Sequence, residues 1–95
     1  MAEYRLSNEG REDLIRIHHF DVKQFGMTRA DNYFETFFDY FEKIAENPFA
    51  FESVEHIKSG YRKCPCGSDT IYFRLIDTGV EIMAIVGMQD LKNVL

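Results

Sequence analysis

Ninety-five residues support one modest hydrophobic core, since a chain of this size buries roughly 60–65% of its unfolded surface. A single domain spanning 1–95 is therefore expected. A hydrophobic fraction of 45% with 28% charged residues excludes intrinsic disorder. The net charge of −5 argues against nucleic-acid binding through bulk phosphate neutralisation.

Nine Phe, five Tyr and no Trp point to a largely aromatic core. The longest apolar run, residues 82–88, has seven members, against the roughly 18 that a membrane helix needs. Residues 1–5 show neither the basic start nor the apolar stretch of a secretory signal. Cys64 and Cys66 are one residue apart, too close for an ordinary disulfide. These features lead to the expectation of a cytoplasmic protein with free thiols and no membrane contact.

Residues 2–6 alternate as a short strand. Ser7 is a helix N-cap, and Glu9, Glu12 and Asp13 complement the dipole of a helix over residues 8–25. Its apolar positions are Leu14, Ile15, Ile17, Val22 and Phe25, and Gly26 stops it. Thr28 then opens a second helix through the capping pattern Thr28-Arg29-Ala30-Asp31. Ala30, Tyr33, Phe34, Phe37, Phe38, Phe41, Ile44 and Ala45 recur at i, i+3, i+4, i+7, which is the clearest helical stripe in the chain. Asn47-Pro48 ends it, because the residue before proline avoids the α region.

Beyond residue 60 the period changes to two. Residues 61–64 read as a short strand, and Cys66-Gly67-Ser68-Asp69 as a turn. Residues 70–76 and 80–86 are strands joined by Asp77-Thr78-Gly79. The layout is α+β: a strand, an antiparallel helical hairpin and a small antiparallel sheet, β-α-α-β-β-β.

Charge is unevenly spread. Residues 1–52 hold eleven acids against six bases, whereas residues 53–95 hold five of each. Within 57–74, Lys58, Arg62, Lys63 and Arg74 face only Asp69, so partner electrostatics are expected there. Cys64, Cys66 and His56 lack the spacing and the fourth ligand of a structural zinc site. His18 and His19 point about 100° apart on a helix and do not share a metal. There is no triad signature and no Gly-rich phosphate loop, so neither a cofactor nor a metal is expected. A two-helix hairpin on a thin sheet leaves apolar surplus, and Phe34, Phe38, Phe41, Phe49 and Phe51 are candidates for an exposed groove.

The segment from Gly60-Tyr61-Arg62-Lys63 through Cys64-Pro65-Cys66-Gly67-Ser68-Asp69 to Thr70-Ile71-Tyr72-Phe73-Arg74 resembles the signature of ParE toxins, in the RelE/ParE superfamily of type II toxin–antitoxin modules. Tyr4-Arg5-Leu6-Ser7, the Asp13-Leu14…Ile17 helix, Phe25-Gly26, Ile44-Ala45-Glu46-Asn47-Pro48 and Val80-Glu81-Ile82-Met83 resemble further family segments in the same order. The ending departs from the usual family pattern: Gly87, Gln89 and Asp90 form a Gly-x-Gln-Asp variant in which the family's Arg and His are lost.

The resemblance implies a bacterial toxin of the plasmid-stabilisation type. It would inhibit DNA gyrase and so block replication, without being an enzyme. A ParD-like antitoxin would neutralise it in a hetero-oligomer, and DNA would be bound only through that antitoxin. Phe34, Phe38, Phe41, Arg62, Lys63 and Arg74 are the expected antitoxin contacts, and Met88, Gln89 and Asp90 the expected target contacts. The alternative is a RelE-like ribosome-dependent mRNA endonuclease. Such chemistry needs an acid/base pair and cations at the phosphorane, and residues 80–86 offer no Arg, Lys, His or Tyr.

Overall fold

A computed structural model describes residues 3–87. The elements are β1 (Glu3–Leu6), α1 (Asn8–Phe25), α2 (Met27–Glu46), a 3-10 turn (Pro48–Ala50), β2 (Glu52–Ser53), β3 (Tyr61–Cys66), β4 (Asp69–Ile76) and β5 (Gly79–Gly87). The α+β layout is as expected. The sheet has five strands in the order β1-β5-β4-β3-β2. Strands β2 to β5 pair antiparallel, and β1 joins the β5 edge in parallel, so the sheet as a whole is mixed.

Ser7 caps α1 as its sequence position predicts. Its hydroxyl accepts from the Gly10 N–H at 2.9 Å and donates to the Met83 carbonyl at 3.1 Å. Its own N–H donates to the Ile82 carbonyl at 3.0 Å. The first turn of α1 is thereby fastened to β5. Gly10 permits the approach, because a Cβ there would lie 2.7 Å from the Ile82 carbonyl oxygen. The contact falls where β5 bulges: Tyr72 pairs with Ala84 but Phe73 with Ile82, leaving Met83 without a partner across the ladder. A bulge normally strands backbone groups, and here α1 takes them up.

The hairpin joint is tighter than the sequence reading. Gly26 alone separates the helices, at φ 87°, a conformation that costs glycine little. Its N–H closes α1 on the Val22 carbonyl at 3.0 Å, and its carbonyl accepts from the Ala30 N–H at 3.1 Å. Gly26 therefore occupies the N-cap of α2, with no side-chain cap. The expectation of Thr28 as N-cap is corrected, since the positive-φ turn places it inside the first helical turn. Asn47 ends α2 before Pro48, as expected.

The core lies between the hairpin and one sheet face. Leu14 and Ile17 of α1 and Phe37, Phe41 and Ile44 of α2 pack on Cys64, Cys66, Ile71, Phe73, Val80, Ile82 and Ile85. The opposite face carries a smaller cluster of Val54, Tyr72 and Val86, flanked by Tyr61 and Ala84. Val54 is held over it by its N–H to the Tyr61 carbonyl at 2.9 Å. Strand β3 runs two residues further than expected, to Cys66. Pro65 is tolerated because β2 pairs only with Arg62 and Lys63, so no ladder bond on that edge needs its missing N–H.

Candidate partner-binding site

The expected aromatic groove is largely closed by the sheet. Phe41 is 0% exposed, packed against Tyr4 at 5.4 Å between ring centroids and edge-on to Phe38 at 5.4 Å. It belongs to the core, and its assignment to an antitoxin surface is corrected. Strand β1 supplies the covering ring, a long-range pairing that the helical stripe does not encode. Phe34 and Phe38 are half-buried and meet edge to face at 5.2 Å. The His18 ring of α1 stands against Phe34 at 5.1 Å, so the two Phe rings keep only a rim for a partner. Phe51 is half-buried and edge-on to Phe73 at 6.0 Å. Phe49, at 68% exposed, is open.

Exposed apolar surface lies instead on the outer side of the hairpin. Ile15, Phe20, Phe25 and Met27 are all about half exposed, Phe20 at 51%. Ile15 and Phe20 form a shallow groove with Glu12, Arg16, His19 and Lys23. The sequence reading placed Ile15 and Phe25 among the apolar positions of α1 without separating its two sides. The inward positions are Gly10, Leu14, Ile17 and Asp21. Their spacing, taken alone, would have singled out Ile15 and Phe20 as outward.

The basic residues divide between two sheet faces, because successive strand residues point oppositely. Arg62 shares its side with Cys64 and Cys66. Its guanidinium donates to the Phe51 carbonyl at 2.7 Å and lies over the Phe49 ring at 5.0 Å, clamping the 3-10 turn. Lys63 and Arg74 are on the other face, where Lys63 opposes Tyr72 and Arg74 opposes Tyr61. Lys63 Nζ is 3.9 Å from Glu52.

Arg74 donates twice to one oxygen of Glu81, at 3.0 and 2.7 Å. Arg5 donates to the other at 3.1 Å. These residues are cross-strand neighbours on β4, β5 and β1, so one carboxylate joins three strands. Hydrogen bonding to Arg74, then the nearby Arg5, holds the Glu81 carboxyl below the usual glutamate range. Each expected cationic contact thus already has a partner within the fold.

Cys64 and Cys66 are free and buried. Burial pushes the Cys66 thiol up to about 12 and raises that of Cys64, which keeps both protonated and unreactive. Among the described residues no three His, Cys, Asp or Glu side chains gather around a possible metal position. No helix among them is long and apolar enough to cross a membrane. Met88, Gln89 and Asp90, the expected target contacts, lie outside the described residues.

The strand–hairpin–sheet architecture is an α+β fold with a mixed five-stranded sheet. It matches a solved structure described as "Chromosomal ParDE TA system from P. aeruginosa" with a TM-score of 0.80, covering 92% of this chain and 96% of that one. At 15% identity that likeness concerns the fold alone. The sequence goes further. Residues 4–91 match the family described as "ParE toxin of type II toxin-antitoxin system, parDE". The chain is 31% identical to "Toxin ParE1" of Caulobacter vibrioides, over 90% of this chain and 88% of that protein. It is 27% identical, with the same coverage, to "Toxin ParE1" of Mycobacterium tuberculosis. The chain belongs to the ParE toxin family of type II toxin–antitoxin systems.

Proposed function

We propose that this toxin acts in the cytoplasm by inhibiting DNA gyrase, and that a ParD-like antitoxin neutralises it by binding in a hetero-oligomer. The observation that carries the reading is the family match across residues 4–91, with a relative named as a ParE toxin at 31% identity. The sheet supports a protein-directed rather than a nucleolytic action. On its open face Arg5 and Arg74 are tied to Glu81 and Lys63 lies beside Glu52. Phosphoryl chemistry needs cations free to meet developing charge. The three histidines of the chain lie outside the strands: His18 and His19 on α1, and His56 between β2 and β3.

The antitoxin contacts proposed are the exposed rims of Phe34 and Phe38, the outer face of α1 around Ile15 and Phe20, and the charged groups of Arg62, Lys63 and Arg74. Residues 88–90 are proposed to meet the target. An antitoxin segment that folds on binding offers an amphipathic helix to such a surface.

Inducing the toxin and following plasmid supercoiling, chromosomal breaks and mRNA integrity tests the reading. Broken DNA or altered supercoiling with intact mRNA is expected. Specific mRNA cuts that disappear in Arg74→Ala or Tyr72→Phe, with DNA unaffected, would replace gyrase inhibition by the nuclease alternative.

A further inference from the structure

Where α1 ends and α2 begins, the hairpin and the β3–β4 turn enclose a pocket of about 270 Å³, lined by Asp21, Phe25, Arg29, Tyr33 and Ser68. Asp21 is only 9% exposed. Among the described residues, no hydrogen bond and no ion pair within 4 Å reaches its carboxylate. Burial raises its pKa, and the charges of His18 and Arg29 offset this only in part. Both of those groups are engaged elsewhere. His18 Nε2 is 2.8 Å from Asp31, and the Arg29 guanidinium lies over the Phe25 ring, 4.4 Å from its centroid.

The Asp21 oxygens keep contact with solvent through the pocket, since among the described residues no fully buried side-chain oxygen lacks a partner. A carboxylate so largely withdrawn from water without a protein donor is still costly, and a cation supplied from outside relieves that cost. The pocket walls suit one kind of cation. The Phe25 ring already carries a planar guanidinium on its face. The Tyr33 ring is held in place, its one hydroxyl hydrogen shared between the Cys66 carbonyl at 2.7 Å and the Asp69 carboxylate at 2.9 Å. Ser68 adds a hydroxyl at the turn. A carboxylate for a two-pronged hydrogen bond beside aromatic faces is the environment a guanidinium fits better than an ammonium.

We propose that this pocket receives an arginine side chain presented by the antitoxin, whose guanidinium pairs with Asp21 between Phe25 and Tyr33 while Arg29 moves out to solvent. The proposal rests on the antitoxin reading above. Arg29 is exposed, held by the Phe25 face and by the attraction of the nearby Asp21 charge, with no hydrogen bond to either. The acidic excess of residues 1–52 would favour approach of a basic segment.

The first test titrates the isotope-labelled full chain with N-acetyl-arginine methylamide, followed by amide NMR. The matching lysine and citrulline derivatives serve as controls. Saturable shifts confined to residues around Asp21, Phe25 and Ser68 are expected, weaker with lysine and absent with citrulline. Asp21→Asn should abolish them. Arg29→Ala should strengthen them several-fold by removing the competing cation, and it leaves Asp21 itself untouched if Asp21→Asn perturbs folding.

The second test measures binding of the antitoxin encoded beside the toxin. Asp21→Asn should weaken it by about 30-fold or more, the scale of losing one partner of a buried charge pair. No saturable shift with the arginine derivative, equal shifts with citrulline, or unchanged antitoxin affinity in Asp21→Asn would overturn the proposal. An antitoxin that ignores the wild-type chain would instead sink the antitoxin reading, and the titration would still report whether the pocket takes a guanidinium.

Discussion

Asp13 on α1 accepts a hydrogen bond from the backbone N–H of Ile85 in β5 at 3.0 Å, across 72 positions of sequence. Ile85 is fully buried, and it sits two residues beyond the unpaired Met83. Asp13 and Ser7 together satisfy β5 backbone groups beyond the end of β1, whose pairing stops at Leu6 and Ile82. One helix start therefore does two jobs: it caps itself, and it completes the sheet.

Removing the acceptor leaves a buried N–H without a partner, which costs about 1–3 kcal/mol. Asp13→Ala is expected to lose that much in urea unfolding of the free toxin. Asp13→Asn, which keeps an acceptor oxygen, is expected to lose less. Equal stability of Asp13→Ala and wild type would show that the contact contributes nothing.

Glu81 gives the fold an acid-sensitive clasp. Its folded pKa lies below the unfolded one, so the unfolded chain binds the extra proton on acidification. The stability it contributes is full above the unfolded value, about 4.3, and is lost as pH falls through the folded value. Glu81→Gln is expected to lower Tm at neutral pH and to flatten its decline below about pH 5. Thermal melts of both proteins across that range decide it, and parallel acid limbs would contradict the assignment.

The helices and the β4–β5 hairpin were legible because their signals are local: the period of the α2 stripe, Gly26, Asn47-Pro48 and Asp77-Thr78-Gly79. Strand β2 was not, since two polar residues carry no period. The depth of Phe41 was not legible either. The stripe shows which way Phe34, Phe38 and Phe41 face, but Tyr4 decides which of them is covered, and β1 reaches its place by pairing with a strand 76 positions away. The basic cluster fails for a related reason. Alternation already separates Arg62 from Lys63, but their partners Phe51, Glu52 and Glu81 are supplied by tertiary pairing. Asp21 reads in sequence as one more surface acid of α1, and only the β3–β4 turn closing over it shows otherwise.

The thiols offer a check on the core. Cys64 and Cys66 sit side by side along β3 with burial raising both pKa values. At about pH 8 neither is expected to react with an aromatic disulfide reagent until the protein unfolds. Rapid labelling of either cysteine in the native state would mean that β3 opens without global unfolding.

The clearest division between core and contact surface falls on three Phe residues. Phe41→Ala removes a wholly buried ring and is expected to cost about 3–5 kcal/mol of folding stability. Phe38→Ala trims a half-buried one, so its cost divides between folding and antitoxin binding. Phe20→Ala, on the exposed face of α1, is expected to leave stability within about 0.5 kcal/mol of wild type. If the antitoxin covers that face, it should weaken the complex by about 2 kcal/mol or more, as an aromatic anchor does. Melts of the free chain beside calorimetric titration with the antitoxin separate the terms. A Phe20→Ala toxin that melts and binds like wild type would move the antitoxin off the outer side of α1 and back to the Phe34–Phe38 rim.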